Sequence, residues 1–253
     1  MSKVIIEKNG PVKTVWMNRP EKKNALDSEL LNNMIEALQA AVAVDDRVVV
    51  IRGKGDVFCA GLDMAERSRT AGAGKASGIE IMLRSIELCP LPVVAVVQGD
   101  AIAGGNELAL HCDLVIASHK ARFGMSLAQV GLAPNWLLAK KLMEVLGPVT
   151  TREMLLLGDP LPSTKLHALG LIARCVPPQE LEAEAAMVID RLARNAPLSL
   201  KAMKALTVRQ LEFRDTIPHD DVDALVVAAM QSQDAQEGMK ARLEKRTAKF
   251  QGK

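Results

Sequence analysis

Three stretches set the limits on what this chain can fold into: "RVVVIRG" (47–53), "PVVAVVQG" (92–99) and "DLVIAS" (113–118). Each is a short apolar run with almost no polar alternation. A strand with one face in water alternates; a strand covered on both faces does not. Segments of helical character separate the runs, which predicts parallel strands joined by crossovers in an α/β fold. Upstream, "VIIE" and "VKTVWM" read as two strands joined by a turn at Asn9-Gly10-Pro11. Leu26, Leu30, Met34, Leu38 and Ala41 recur at helical spacing, with Glu29, Asn33 and Glu36 facing away. This predicts a helix from about Asp27 to Val44, N-capped by Asp27 or Ser28. From about Pro148 the chain turns helical. "TTREMLLLG", "LEAEAAMVIDRLARNA", "PLSLKAMKALTVRQLE", "HDDVDALVVAAMQSQ" and "AQEGMKARLEKRTAKF" each read as a helix. "AERSRTAGAGKASG" (65–78) reads as a mobile loop or frayed helix, either plain surface or a substrate lid.

Composition narrows the function. The chain's 253 residues are 49% apolar, enough for one large core, and its net charge of +2 gives no reason to expect a nucleic-acid partner. Cys59, Cys89, Cys112 and Cys175 form no CxxC pair, so reduced thiols in the cytoplasm are expected, without a metal site. His111, Cys112 and Asp113 face different directions along a helix and do not form a ligand set. The start "MSKVIIEKNG" lacks a signal-peptide pattern, and no apolar run approaches the ~18 residues of a membrane span. With no tyrosine in the chain, a phenolic acid or oxyanion donor is excluded.

Two stretches repeat one design. After the buried strand ending at Gly53, a connection leads to Gly61, whose turn leaves the N–H of Leu62 pointing outward. After the strand ending near Gly99, a connection leads to Gly104-Gly105 at a helix start, where the N–H of Gly104 is unpaired. If the strands are neighbours, both donors lie at one sheet edge and form an oxyanion hole. Glu107 follows within the same helical turn, among Leu108, Ala109 and Leu110. It either complements the helix dipole or handles a proton beside the hole.

These segments, with "NRPEKKNALD" (18–27), "GDVFCAGLDM" (55–64), "IAGGNELALHCDLVIAS" (102–118), "ARFGMS" (121–126) and "EGMKARLEKRTAKF" (237–250), resemble the enoyl-CoA hydratase/isomerase (crotonase) superfamily over nearly the whole chain. The resemblance implies a crotonase-like spiral of ββα units over 1–200. It also implies a C-terminal helical region (201–253) used in trimer or hexamer contacts, and acyl-CoA thioester substrates with no separate cofactor. By motif position the carbonyl-holding N–H groups map to Leu62 and Gly104, and the first catalytic glutamate to Glu107. Substrate contacts map to Lys23, Ala25, Ala60, Asp63 and Met64. Met125, Leu127, Trp136 and Leu137 are candidates to line the acyl pocket. Arg19, Lys22, Lys23, Lys245 and Arg246 are the basic candidates for the coenzyme A phosphates.

The pattern breaks at the second carboxylate. The position that carries a glutamate in the family's hydratases is Leu127. The position that carries a carboxylate in other members, after Gly-Leu-x-Pro, is Asn135. Hydration wants one group to activate water and one to deliver a proton. Ser126, Asn106 and His111 are the remaining polar candidates beside Glu107; His111 either orients it or is a satisfied core histidine. The expected activity is of hydratase/isomerase type, with Glu107 as acid/base. Alternatives are decarboxylation of a malonyl-type CoA, or acyl-CoA binding with weak catalysis. A serine hydrolase on a related spiral lacks a GxSxG motif here.

Overall fold

The computed structural model describes residues 2–40, 42–66 and 78–253. Strands β1 (Val4–Asn9) and β2 (Val12–Met17) form the expected hairpin, and helix α1 (Ser28–Gln39) follows. Asp27 rather than Ser28 is its N-cap, accepting from the N–H of Leu30 at 2.9 Å. The helix stops at Gln39, short of Val44, because Ala40 turns extended (ψ 144°); Ala41 lies outside the described residues. Next come β3 (Val48–Gly53), α2 (Gly78–Leu88), β4 (Val93–Val97), β5 (Ala101–Ile102), α3 (Gly104–His111), β6 (Leu114–Ser118) and β7 (Arg122–Gly124). Of the 65–78 stretch, residues 67–77 lie outside the described residues, and so does the lid reading.

The main sheet has the order β1-β2-β3-β4-β6-β9, where β9 is Arg174–Val176. All its pairs except β1–β2 are parallel. The unbroken apolar runs are explained by two coverings. Val49, Ile51, Val93, Ala95, Val97, Val115 and Ala117 face the main core with α1, α2 and α3. Val48, Val50, Val94, Val96 and Ile116 face the opposite way and are covered by Leu181 and Ala185 of α6 (Leu181–Arg194). Each fully buried Val or Ile contributes about 1.5–3 kcal/mol, so losing either covering would unseat the sheet. A second, small sheet runs β5-β7-β8, where β8 is Leu161–Pro162. Single parallel bridges extend it, Cys59 to Ala101 and Leu26 to Leu62.

The helical segment "TTREMLLLG" is not separate. It continues α4 (Trp136–Arg152) across a break at Gly147-Pro148, then widens into a π-helical turn, Glu153–Leu157. Pro148 lacks the N–H that the ladder needs, and Gly147 takes φ +66° to let the chain turn there. After α5 (Ser163–Ala168) and α6 come α7 (Pro197–Leu211), α8 (Asp220–Gln231) and α9 (Gln233–Glu244). Helix α9 folds back onto the 128–131 turn so closely that a Cβ on Gly238 would lie 2.4 Å from the Val130 backbone. No helix among the described residues is long and apolar enough to cross a membrane.

Candidate active site

The two glycine turns touch. A Cβ on Gly61 would lie 2.9 Å from the nitrogen of Gly104 and 2.9 Å from Cβ of Ala103. Gly61 has φ +87°, so any side chain here would meet both strain and collision. Backbone pairing aims the next peptide. Leu26 donates to the carbonyl of Gly61 (2.8 Å) and accepts from Asp63 (2.9 Å), which leaves the N–H of Leu62 on the opposite side of its strand. Among the described residues neither the N–H of Leu62 nor that of Gly104 meets an acceptor.

The second turn is strained. Ala103, the N-cap of α3, has φ +50° and ψ −118°, a conformation that costs a non-glycine residue about 1–3 kcal/mol. Bonds on both sides hold it: its N–H donates to Gly124 (2.8 Å), and its carbonyl accepts from Glu107 (3.0 Å). Gly105 explains the rest of the pair. A Cβ there would lie 2.1 Å from the carbonyl oxygen of Cys59, so only glycine lets α3 start against that strand. Asn24 clamps the neighbouring loops; its amide donates to Lys54 (2.9 Å), Val57 (2.9 Å) and Phe58 (3.1 Å). The sequence reading singled out neither Ala103 nor Asn24.

Every residue of α3 is buried. Glu107 is fully enclosed, and neither carboxylate oxygen has a hydrogen-bond partner. Burial drives its pKa well above the usual carboxylate range; Lys141 opposes this and loses. His111 is not its ion-pair partner. Its Nδ1 is 3.9 Å from Oε2 of Glu107 but 2.7 Å from the Glu107 carbonyl, and it must donate there because a carbonyl only accepts. Burial, with a further contribution from Lys141, lowers the imidazole to about 4, so at neutral pH it is uncharged. Asn106 is equally buried; its amide reaches Sδ of Met154 at 3.7 Å, and its Oδ1 is unpaired. A buried carboxyl with a raised pKa, a neutral imidazole and two free N–H groups thus share one apolar region, a composition suited to moving protons next to a carbonyl.

The remaining sequence candidates divide. Lys23, Ala25 and Leu26 run beside 59–63, with Ala60 donating to the carbonyl of Lys23 at 3.0 Å and Met64 half-buried just beyond. Lys22 and Lys23 are exposed. Arg19 is not free to bind phosphate. It is locked to Asp63 (2.8 Å), Asp27 (3.3 Å) and the carbonyl of Ala25 (3.0 Å). Asp63 is correspondingly committed to Arg19 and to the N–H of Ala65 (3.0 Å). Arg246 is held by Glu237 and Glu244, both at 2.6 Å. These three side chains brace the loops, because two or more partners already saturate each. Lys245 is exposed at the end of α9.

Leu127 is half-buried and packs on the main core. Met125 is 1% exposed and belongs to that core. The indole of Trp136 stacks on His219 (centroids 4.4 Å apart) and donates to the Arg214 carbonyl at 3.2 Å, so its exposed face is spent on docking the C-terminal segment. Leu137 lines a cavity of about 780 Å³ with Leu38, Val42, Glu80, Ile81 and Leu88. None of Leu62, Gly104 or Glu107 lines that cavity. Asn135 caps α4, accepting from Leu138 (3.0 Å), and donates its amide to Glu80. Helix α2, which carries Glu80, is one of the helical segments expected between the buried strands; its bounds, not read from the sequence, are marked by Ile79, Met82, Leu83 and Ile86 at helical spacing.

Comparison with known proteins fits this geometry. The family model described as enoyl-CoA hydratase/isomerase matches residues 7–253. A putative enoyl-CoA hydratase of Thermus thermophilus is 33% identical over 98% of this chain and 100% of its own length. A crotonyl-CoA hydratase of Syntrophomonas wolfei is 31% identical over 98% of this chain and 97% of its own. Among solved structures, an enoyl-CoA hydratase from Mycobacterium avium subsp. paratuberculosis superposes with TM-score 0.85 at 30% identity, covering 98% of each chain. A methylmalonyl-CoA decarboxylase complexed with 2S-carboxypropyl CoA superposes with TM-score 0.92 at 25% identity, covering 100% of this chain and 99% of the other. With two backbone donors joined at one turn contact, a buried glutamate one helical turn on, and a full-length match, this chain belongs to the enoyl-CoA hydratase/isomerase family.

Proposed function

We propose that the protein binds acyl-CoA thioesters, holds the thioester oxygen with the N–H groups of Leu62 and Gly104, and moves a proton at the adjacent carbons with Glu107. The observation that carries this is the contact between two turns whose N–H groups are both unpartnered. Charge developing on a thioester oxygen would be met by donors already in place, and each such donor is worth about 3–4 kcal/mol to the transition state. Hydration or double-bond migration of an enoyl-CoA follows from this arrangement. Coenzyme A enters as part of the substrate, and no separate cofactor is required. Lys22, Lys23 and Lys245 are the cations left for its phosphates. The exposed Met203, Leu206, Phe213 and Leu225 support burial of the region after residue 200 against sister subunits in a trimer or hexamer. We place the enzyme in the cytoplasm.

The test is Glu107→Gln, which keeps size and removes the titrating group. Exchange of the α-proton of a bound acyl-CoA for solvent deuterium should fall by about 10²-fold or more, with acyl-CoA affinity little changed. Unchanged exchange with a lower melting temperature would reduce Glu107 to a helix-start residue. The likeness to the decarboxylase favours a second reading, loss of CO₂ from a malonyl-type CoA, whose enolate would rest on the same two N–H groups. Release of CO₂ from methylmalonyl-CoA measures it directly.

A further inference from the structure

A Glu four residues before an Arg on a helix is placed to pair with it. Glu80 and Arg84 stand in that relation on α2 and do not pair. Arg84 turns to Glu87 (3.3 Å), Glu212 (3.9 Å) and Asp215 (4.0 Å). Glu80 turns to Asn135, whose side-chain amide donates to it. Among the described residues no cation meets Glu80. Its neighbour Ile79 reaches the hole itself: a Cβ on Gly104 would lie 2.7 Å from Cδ1 of Ile79. Ile79 thus places the first turn of α2 over Gly104, and Glu80, in that same turn but on the neighbouring face, is bonded to the residue that stands where a family carboxylate is absent.

We propose that Glu80, held by Asn135, is the second acid–base carboxylate of this site, replacing those missing at positions 127 and 135. The proposal rests on the acyl-CoA reading above. The two glutamates differ in the way a hydration needs. Glu80 is half-buried and within reach of water; burial raises its pKa, and the Asn135 bond restrains that rise. Glu107 is fully enclosed, and burial favours its protonated form. On a 2-enoyl thioester, Glu80 takes a proton from water as the water oxygen bonds to Cβ. The double-bond pair shifts toward Cα, and the carbonyl pair moves onto the oxygen held by the two N–H groups. Glu107 then gives its proton to Cα as the carbonyl re-forms. One water proton ends on Glu80, and exchange with solvent resets both carboxyls.

The experiment is steady-state hydration of a four-carbon 2-enoyl-CoA by the wild-type chain, Glu80→Gln and Glu80→Asp across pH. Glu80→Gln should lower kcat by about 10²-fold, leave KM within about threefold and remove the fall of kcat on the acid side. Glu80→Asp should retain part of the rate and that acid limb. A Glu80→Gln kcat within threefold of wild type overturns the proposal. So does a change confined to KM or melting temperature, which would make Glu80 a brace for Asn135. A wild-type chain that exchanges the α-proton but does not hydrate overturns the Glu80 assignment while leaving the acyl-CoA reading intact. A chain that does neither overturns both.

Discussion

Glu107 and Glu87 are both buried carboxylates that feel the same lysine, and they end on opposite sides of the usual value. Glu87, on α2, is 7% exposed and pairs with Lys141 and with Arg84 at 3.3 Å. Burial is the largest single influence and pushes it up, yet the charge and hydrogen bond of Lys141, joined by His111 and Lys140, together outweigh burial and hold it below 4.5. Glu107, on α3, receives only the longer-range field of Lys141, and burial wins. Lys141 also meets Glu144 at 3.4 Å, so it is the hub of a compensated ionic cluster with Glu107 at its edge. A buried charge kept for structure is given a partner; Glu107 is left without one, and a carboxyl without a partner is one that can exchange its proton.

Removing the hub breaks the comparison most severely. Lys141→Met should leave Glu87 with only the half-exposed Arg84 and take a partner from Glu144, costing up to about 3–5 kcal/mol by urea unfolding, the penalty for a fully unpaired buried charge being the upper bound. If stability holds, Glu87 was not relying on Lys141. Glu107→Gln acts on chemistry instead. The loss of about 10²-fold in proton exchange should come with stability at neutral pH unchanged or raised, because a neutral amide replaces a carboxyl whose ionised form is disfavoured.

A gentler test restores what the sequence lacks. In a Glu80→Gln background, Leu127→Glu should raise hydration of a four-carbon enoyl-CoA by about tenfold or more if a second carboxylate is the limiting group. No gain would show that position 127 does not reach the substrate.

The smallest effect lies in the pH dependence of stability, and its sign separates the two glutamates. Glu107 has a raised folded-state pKa, so its contribution is fully present below about 4.5 and is lost as pH rises toward its folded value. Glu87 has a lowered one, so its contribution is present above 4.5 and is lost as pH falls through its folded value. Against wild type, Glu107→Gln should flatten the decline above pH 4.5, and Glu87→Gln should flatten the acid limb. Matching profiles for the two variants would mean that burial, not pairing, governs both.

Much of the framework was legible because it is local. Unbroken apolar runs announced strands covered on two faces, and both coverings exist. The Asn9-Gly10-Pro11 turn, the Asp27 cap and the glycine-bearing connections were readable for the same reason: turn and cap chemistry acts within a few residues. The short strands β5, β7, β8 and β9 were not readable. Two or three residues carry no period, and their pairing is set by distant partners. Arg19 and Arg246 looked like phosphate ligands because a sequence shows charge but not the carboxylates that already occupy it.

The sequence by itself determined the family, the parallel sheet, the two glycine turns and the glutamate that follows the second. Those features follow from backbone sterics and residue order. Only the tertiary structure decided what the glutamates are. Whether Glu107 is pushed up by burial or held down by the start of its helix depends on everything packed around α3, and burial prevails. That Glu80 meets Asn135, 55 residues away, depends on how α2 and α4 come together. Electrostatic character belongs to the assembled surroundings of a side chain, because desolvation and pairing are summed over neighbours that the linear order does not name.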